Sequence, residues 1–384
     1  HVRGGWFVPA DTQPADSVVD LAGAWVVPPF GEAHTHALGG SGAERAARQY
    51  LRDGIFYALS LNNAASRARK ARERFSHPTT LDPGYAHGGF TSTGSHPYRV
   101  YEMIALGIFG ADDPYAEAER REEEIRASRL AEGDAYWFVD SVADLEAKWP
   151  AFLEDDPDVV KVYLSDVATG LAAEDVRGHG LHPGVLRTLV ARAHARGLRV
   201  FAHVDTVDDF RIALEAGVDA MAHLPGQNLG EDLLMEPLTE EDLARAALRG
   251  TVVVPTTQRV TVFADSTEMP ALQAFQRDAL RRLHAAGVTI ALGEDWFGRT
   301  SRAEAEYIAD LGVFDNATLL RIWSVATPRT VFPTRRIGRL EPGWEASFLA
   351  LGCDPIEEFA CTGDIRLRYK QGRELRIEEP AEGR

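Results

Sequence analysis

Six side chains of metal-binding type fall at regular places along this chain, and their spacing makes them worth following. His34-Thr35-His36 lies inside residues 26–40 (VVPPFGEAHTHALGG), at the end of an apolar, β-branched run that closes in Pro28-Pro29. Residues i and i+2 of a strand point to one face, so both imidazoles can meet one ion. A His-x-His pair alone is weak; its value depends on ligands at later strand ends. His203 stands in FAHV, His223 closes VDAMAH, and VTIAL runs into Gly293-Glu294-Asp295. Lys161 lies among apolar neighbours in VVKVYLS. A buried ammonium is costly, and such a lysine shifts its pKa or reacts. Carbamylation by carbon dioxide would make it an anionic, two-oxygen bridge between metals.

The elements that carry these residues repeat one phrase: amphipathic helix, Gly, short β-branched strand, polar loop. Helices over 186–196, 208–216, 243–249 and 279–286 are each followed by a Gly (197, 217, 250, 287) and by strands over 198–204, 218–223, 251–256 and 288–292. Earlier strands are expected at 25–30, 55–61 and 159–164, with a weaker one near 89–93. Alternation of helices with buried strands implies parallel βαβ units, and the length favours closure into an eight-stranded barrel whose post-strand loops form the active face. The charged stretch 115–130 (YAEAERREEEIRASRL) reads as a solvated helical insertion. The ends differ from the middle: short alternating runs rich in Gly and Pro read as small strands. The expected architecture is α/β, a (β/α)8 TIM-like barrel over residues 28–334, with a small β-sandwich domain formed by both termini, 1–27 and 335–384.

Composition bounds the function. The 384 residues are 45 % hydrophobic, enough for one barrel-sized domain and a small companion. A net charge of -17 repels phosphate backbones and anionic lipid, which argues against nucleic acid or a membrane as partner. A small-molecule substrate is the default, and a homo-oligomer is left open. No stretch approaches the roughly 20 apolar residues that cross a bilayer, and none reads as an export signal. Because the chain starts at His1 rather than Met, an upstream segment is expected to be missing, and a cytoplasmic or exported location both stay open. Cys353 and Cys361, the only cysteines, fit either a reduced pair or one short-loop disulfide and cannot build a thiolate zinc site. Histidine and carboxylate donors suit zinc, manganese or iron.

Through PPFGEAHTHALGG, VVKVYLS, RVFAHVDTVDDFRIALEAGVDAMAHLPG, ALGEDWFG and RIGRLEPGWEASFLAL, the chain resembles the amidohydrolase superfamily of metal-dependent hydrolases over nearly its full length. Within it, the chain is similar to the branch of imidazolonepropionase-like proteins and Xaa-Pro or Xaa-Arg dipeptidases (prolidases), which carry a strand-four Lys. The resemblance implies that His34 and His36 join Asp295 on one metal, that His203 and His223 bind a second, and that carbamylated Lys161 bridges both with a hydroxide. If Lys161 does not bridge, the site is mononuclear. The family's usual Gly-Thr-Asp is Gly-Glu-Asp here, which leaves the role of Glu294 open, and its Gly-Lys-x-Ala-Asp is Gly-Trp-Glu-Ala-Ser at 343–347.

A metal-bound water that loses its proton near pH 7 supplies hydroxide as nucleophile, and a metal polarises the carbonyl. Asp295 is the expected general base, passing the proton to the leaving amine. In GYAHGGFTSTGSHPY the resembling dipeptidases have a Gly-Gly-His, so His96 is expected to contact substrate and to help hold the oxyanion. His87, His179 and His182 rank lower, and His194 and His284 read as helix-surface residues. Arg259 and Arg299 lie in loops that set substrate preference, as carboxylate contacts or as plain surface charges. The expected reaction is hydrolysis of a C–N bond in an amide, dipeptide or cyclic amide. A deaminase or lactonase is the alternative, and an inactive scaffold is a remote one that retention of all six ligands argues against.

Overall fold

Pro28 and Pro29 separate two sheets. Neither has an N–H to give to a ladder, so the strand expected over 25–30 cannot run through them. Trp25–Val27 pairs antiparallel with Phe348–Leu351, and a new strand, β1 (Phe30–Thr35), begins after the prolines and carries His34 on its buried run. The single strand over 25–30 is thus corrected to two that belong to different sheets. The computed structural model describes residues 1–10, 15–75, 77–228 and 234–377. Residues 11–14 and 378–384 of the expected terminal domain lie outside them.

The other staves follow in order: β2 (Ile55–Ser60), β3 (Asp82–Tyr85), β4 (Gly89–Thr91), β5 (Val159–Leu164), β6 (Arg199–Val204), β7 (Ala220–Ala222), β8 (Val252–Val254) and β9 (Thr289–Ile290). β1, β2 and β3 pair in parallel, as do β4 to β9. β3 and β4 are two parts of one stave, the first paired with β2 and the second with β5. The ring closes where Ala33 N–H donates to Leu292 O at 2.8 Å and Asp295 N–H to His34 O at 2.9 Å. Every residue of β1, β2 and β5 is buried, as expected of strands covered on both faces. The helices between are stopped locally: Val207–Ala216 starts with a Thr206/Asp209 capping box and ends at Gly217, whose φ of 87° suits only glycine well.

The stretch 115–130 forms two helices, Pro114–Arg120 and Glu122–Ala127, rather than one. It is not wholly solvated, since Ala118 and Ile125 pack on Met103 and Ile108 in a core of their own. Buried Glu102, on the helix Tyr98–Ala105, ties the exit of this segment to its entry. It accepts from Leu130 N–H at 3.1 Å, Ala131 N–H at 2.9 Å, the Tyr136 hydroxyl at 2.7 Å and the Ser128 hydroxyl.

The additional antiparallel sheet has the order Arg373–Glu374, Ile365–Lys370, Phe348–Leu351, Trp25–Val27. Of the two states left open for the cysteines, the disulfide Cys353–Cys361 is present, with Cα atoms 5.4 Å apart. Among the described residues no helix is long and apolar enough to cross a membrane. Lys370 fastens this sheet to the barrel: fully buried, it donates to His77 O at 2.9 Å, Thr80 O and Asp82 Oδ1 at 2.6 Å. Arg335 bridges Asp82 and Glu345, at 2.8 Å to each. Removing one member of a buried ion pair costs about 3 kcal/mol or more. Lys370→Met should therefore lower the unfolding free energy by about 3 kcal/mol in urea titration; a loss under about 1 kcal/mol would show that the pair does not fasten the sheet.

Candidate functional site

The C-terminal ends of the strands converge on one cavity, and all seven residues expected at the site line it: His34, His36, His96, Lys161, His203, His223 and Asp295. Gly293 makes the approach possible. A Cβ there would lie 2.6 Å from His34 Cβ and 2.8 Å from Val254 Cγ1, so only glycine lets the eighth stave pass this close to β1. Asp295 follows two residues on, with φ of 53°, and His223 has φ of 97°. Left-handed backbone at non-glycine residues costs of order 1–3 kcal/mol each. The fold holds both because they aim their side chains inward from strand ends.

Asp295 is the hub. Its Oδ1 lies 2.8 Å from His36 Nε2 and 3.2 Å from His34 Nε2, and its Oδ2 3.8 Å from His223 Nε2 and 3.0 Å from Arg259 Nε. Burial alone would raise its pKa. The charge and hydrogen bond of His34, then the bond of His36 and the charge of Arg259, outweigh that and hold it well below the usual carboxylate range. Burial pushes His34 down to about 3 and His223 well below its ordinary value, so both rings are neutral near pH 7 with a lone pair to offer. His36 Nδ1 is 3.0 Å from Asn62 O, a pure acceptor, so Nδ1 carries the proton. Thr256 Oγ1 pins His223 Nδ1 at 2.7 Å.

This donor set fits a cation. With Nδ1 turned to Asn62 O, His36 points Nε2 at an Asp295 oxygen, the arrangement in which both atoms can serve one positive ion. Donor atoms of His34, His223 and Asp295 all lie within 4.8 Å of one another. The outer contacts of His36 and His223 are of the kind that fix ligand orientation in metal sites. Lys161 Nζ is fully buried with no hydrogen-bond partner among the described residues, 5.3 Å from the Tyr163 ring centroid, and burial pushes its ammonium down to about 7. His203 lies further out, with Nε2 held 2.9 Å from Asp205 Oδ1. His96 reaches solvent through the mouth, its ring centroid 4.8 Å from that of His203. The surrounding walls, then His203, push its imidazole below the ordinary value.

The lower-ranked histidines have other work or none. His182 caps the helix Pro183–His194, its Nδ1 accepting from Gly184 N–H at 3.0 Å, and His194 pairs with Asp219 at 2.9 Å. His87 is buried and stacked on Tyr85. Of the two loop arginines, Arg259 belongs to the cavity; Arg299 stays outside it, 3.9 Å from Glu294.

Sequence reasoning missed Glu32. Completely buried beneath His34, it accepts at Oε1 from His34 N–H (3.0 Å) and Glu294 N–H (3.1 Å), and at Oε2 from Ser301 N–H (2.7 Å). The signal was in view: an acid two residues before the His-x-His pair in a run otherwise suited to burial. Glu294, the departure from the family motif, is buried with neither oxygen hydrogen-bonded among the described residues, and burial pushes its carboxyl up to about 9. It therefore stands as a neutral acid behind the site.

No family model matches the chain. It is 27 % identical over 301 residues to the imidazolonepropionase of Pseudomonas putida (strain GB-1), a match covering 73 % of this chain and 66 % of that protein, just under two thirds of its length. The crystal structure of an amidohydrolase superposes with a TM-score of 0.73 at 19 % identity, covering 97 % of this chain and 93 % of that one. A Xaa-Pro dipeptidase crystallised with methionine in its active site gives 0.68 at 16 % identity, with 97 % and 93 % covered. Likeness at these identities establishes the fold.

Glu32 holds β1 to the eighth stave at the depth of the candidate ligands. Glu32→Gln keeps one acceptor oxygen but turns an NH2 toward the Ser301 N–H, which should cost about 1–3 kcal/mol in urea unfolding and weaken zinc binding about 10-fold or more in chelator competition. Unchanged zinc affinity would detach Glu32 from the site.

Proposed function

We propose that the chain is a member of the amidohydrolase superfamily and hydrolyses a C–N bond in an amide, dipeptide or cyclic amide. The observation that carries this reading is Asp295, ionised among His34, His36 and His223 at the mouth of the barrel, with Lys161 beside them and without a hydrogen-bond partner among the described residues. His34, His36 and Asp295 would hold one divalent ion, zinc being best matched to this nitrogen-rich set, and His203 and His223 a second. Lys161 would bridge them as a carbamate, formed when its neutral amine attacks carbon dioxide and releases a proton. When bound, the metal would supply Lewis-acid polarisation of the carbonyl and lower the pKa of water toward neutrality.

The protein's own groups do the rest. Asp295 takes the proton of the attacking water and gives it to the amine as the C–N bond breaks. His96, neutral and at the cavity mouth, offers one N–H to the developing oxyanion. The walls supplied by Tyr101, Tyr163 and Trp296 limit water around the reacting atoms.

Asp295→Asn should lower kcat at least about 1,000-fold while zinc content changes little, since the amide keeps an oxygen donor. Undiminished turnover would remove Asp295 from the chemistry. Metal analysis separates the two nuclearities: about two ions per chain in the wild-type protein and about one in Lys161→Ala supports the bridged site, whereas one in both makes it mononuclear.

A further inference from the structure

The opposite end of the barrel, where the staves begin, holds a separate cavity of about 930 Å³. Arg199, Val252 and Thr289, the first residues of β6, β8 and β9, line it, and it shares no lining residue with the cavity of the candidate ligands. Val218, Val252, Ile322 and Val325 give it an apolar surface, and Arg199, Arg249, Arg321 and Arg329 give it charge. Asp219 is the only acid lining it among the described residues, and that carboxylate is already engaged. Its Oδ2 accepts from Val200 N–H at 2.7 Å and lies 2.9 Å from His194 Nε2. In a chain of 58 acidic against 41 basic residues, such a gathering of cations runs against the charge of the whole.

None of the four arginines forms an ion pair among the described residues. Arg199 Nη2 donates to Val331 O at 3.2 Å and Arg321 Nη2 to Thr318 Oγ1 at 3.1 Å, while Arg249 and Arg329 donate to nothing described. Nearby surface arginines do find acids, Arg192 with Glu146 at 2.6 Å and Arg282 with Glu240 at 2.7 Å. The helices of this barrel end at the same face, and a cation in a last turn suits the helix dipole. That accounts for the positions of Arg249, closing Glu240–Arg249, and Arg321, closing Asn316–Arg321. It does not account for Arg199, which opens a strand. The Arg199 guanidinium lies 5.3 Å from the Phe201 ring centroid, and burial pulls its pKa below the ordinary value against the charge of Asp219. A guanidinium kept there without a carboxylate partner is destabilising, and a bound anion would offset it.

The four are brought to one place. The bond to Val331 O ties Arg199 to the helix Thr327–Val331, which carries Arg329. Arg249 Nη1 reaches to 3.9 Å from where a Cβ of Gly217 would stand, just before β7, the strand paired with β6. We infer that this cavity is a second binding site whose ligand is an organic polyphosphate of nucleoside triphosphate size, its phosphates on the arginine forks and its body on the apolar surface. Guanidinium forks match phosphate oxygens two at a time. Ligand cavities run to about 300–1,000 Å³, and an inorganic anion would leave most of this one unfilled. The site lies at the other end of β6 and β7 from His203 and His223 and does not rest on the hydrolase reading.

Calorimetric titration of the full chain with ATP in magnesium-free buffer, before and after chelator treatment, tests it. One ATP per chain should bind both forms with affinities within about threefold of each other. Arg249→Glu and Arg329→Glu, at exposed positions, should each weaken binding at least about tenfold, and tripolyphosphate and adenosine should each bind at least about tenfold more weakly than ATP. Arg249→Gln and Arg329→Gln, which remove the charge without reversing it, should weaken binding about threefold or more and serve where circular dichroism shows a glutamate variant unfolded. Absence of ATP binding, or binding unchanged in the arginine variants, overturns the inference. Binding lost on metal removal places the nucleotide at the catalytic end and overturns it too. Tripolyphosphate bound as tightly as ATP removes the organic body, and adenosine bound as tightly removes the arginines; either overturns the assigned ligand.

Discussion

One buried carboxylate holds the working end of this barrel in shape. Glu32 takes backbone N–H groups from β1, from the residue pair that follows the eighth stave and from the start of the helix Ser301–Leu311. Burial pushes its carboxyl up to about 8, against the pull of those three N–H groups. Closing the ring by backbone bonds alone would leave the seam between first and last staves with the few contacts that Gly293 permits. The carboxylate turns that seam into a fixed distance, and His34 and Asp295 sit on its two sides.

Everything at the mouth follows from that distance. Asp295 gathers three imidazoles and a guanidinium around one carboxylate, and two of the imidazoles are oriented from behind by Asn62 O and Thr256 Oγ1. Glu304 does for the short helix Thr257–Val260, which carries Arg259, what Glu32 does for the seam: a buried acid collects N–H groups at the start of an element whose N-cap residue, Thr256, makes no side-chain cap. The chain thus uses carboxylates in two ways a few ångströms apart. Some accept hydrogen bonds from backbone N–H groups, and one, Asp295, is held ionised among imidazoles.

Much of this was legible. His203 and His223 stand out because the Gly-stopped helices before them fix where β6 and β7 end, and Asp295 because it follows VTIAL directly. β1 was misplaced since its apolar prelude, WVV, belongs to another sheet; a proline pair reads as the end of a strand, not as a passage between two. β3 escaped notice because Asp82-Pro83-Gly84 has no β-branched residue, and only pairing with β2 makes it extended. Arg259 could be read either as a carboxylate contact or as surface charge, because nothing local to TTQRV says that Asp295, 36 positions later, lies 3.0 Å away. The disulfide was likewise undecidable from an eight-residue spacing, which both alternatives accommodate.

The segment around residues 98–130 shows how such a protein can change without being rebuilt. Glu102 ties its entry to its exit, at Ser128, Leu130, Ala131 and Tyr136, so what lies between hangs from a closed loop with a small core of its own. Phe109 and Tyr115 reach the cavity from that loop. Length and sequence there can drift while both ends stay where they are, and the drift never reaches Glu32 or the histidines. A change of rim there is a change of fitting rather than of foundation, because the loop is closed upon itself before it meets the barrel.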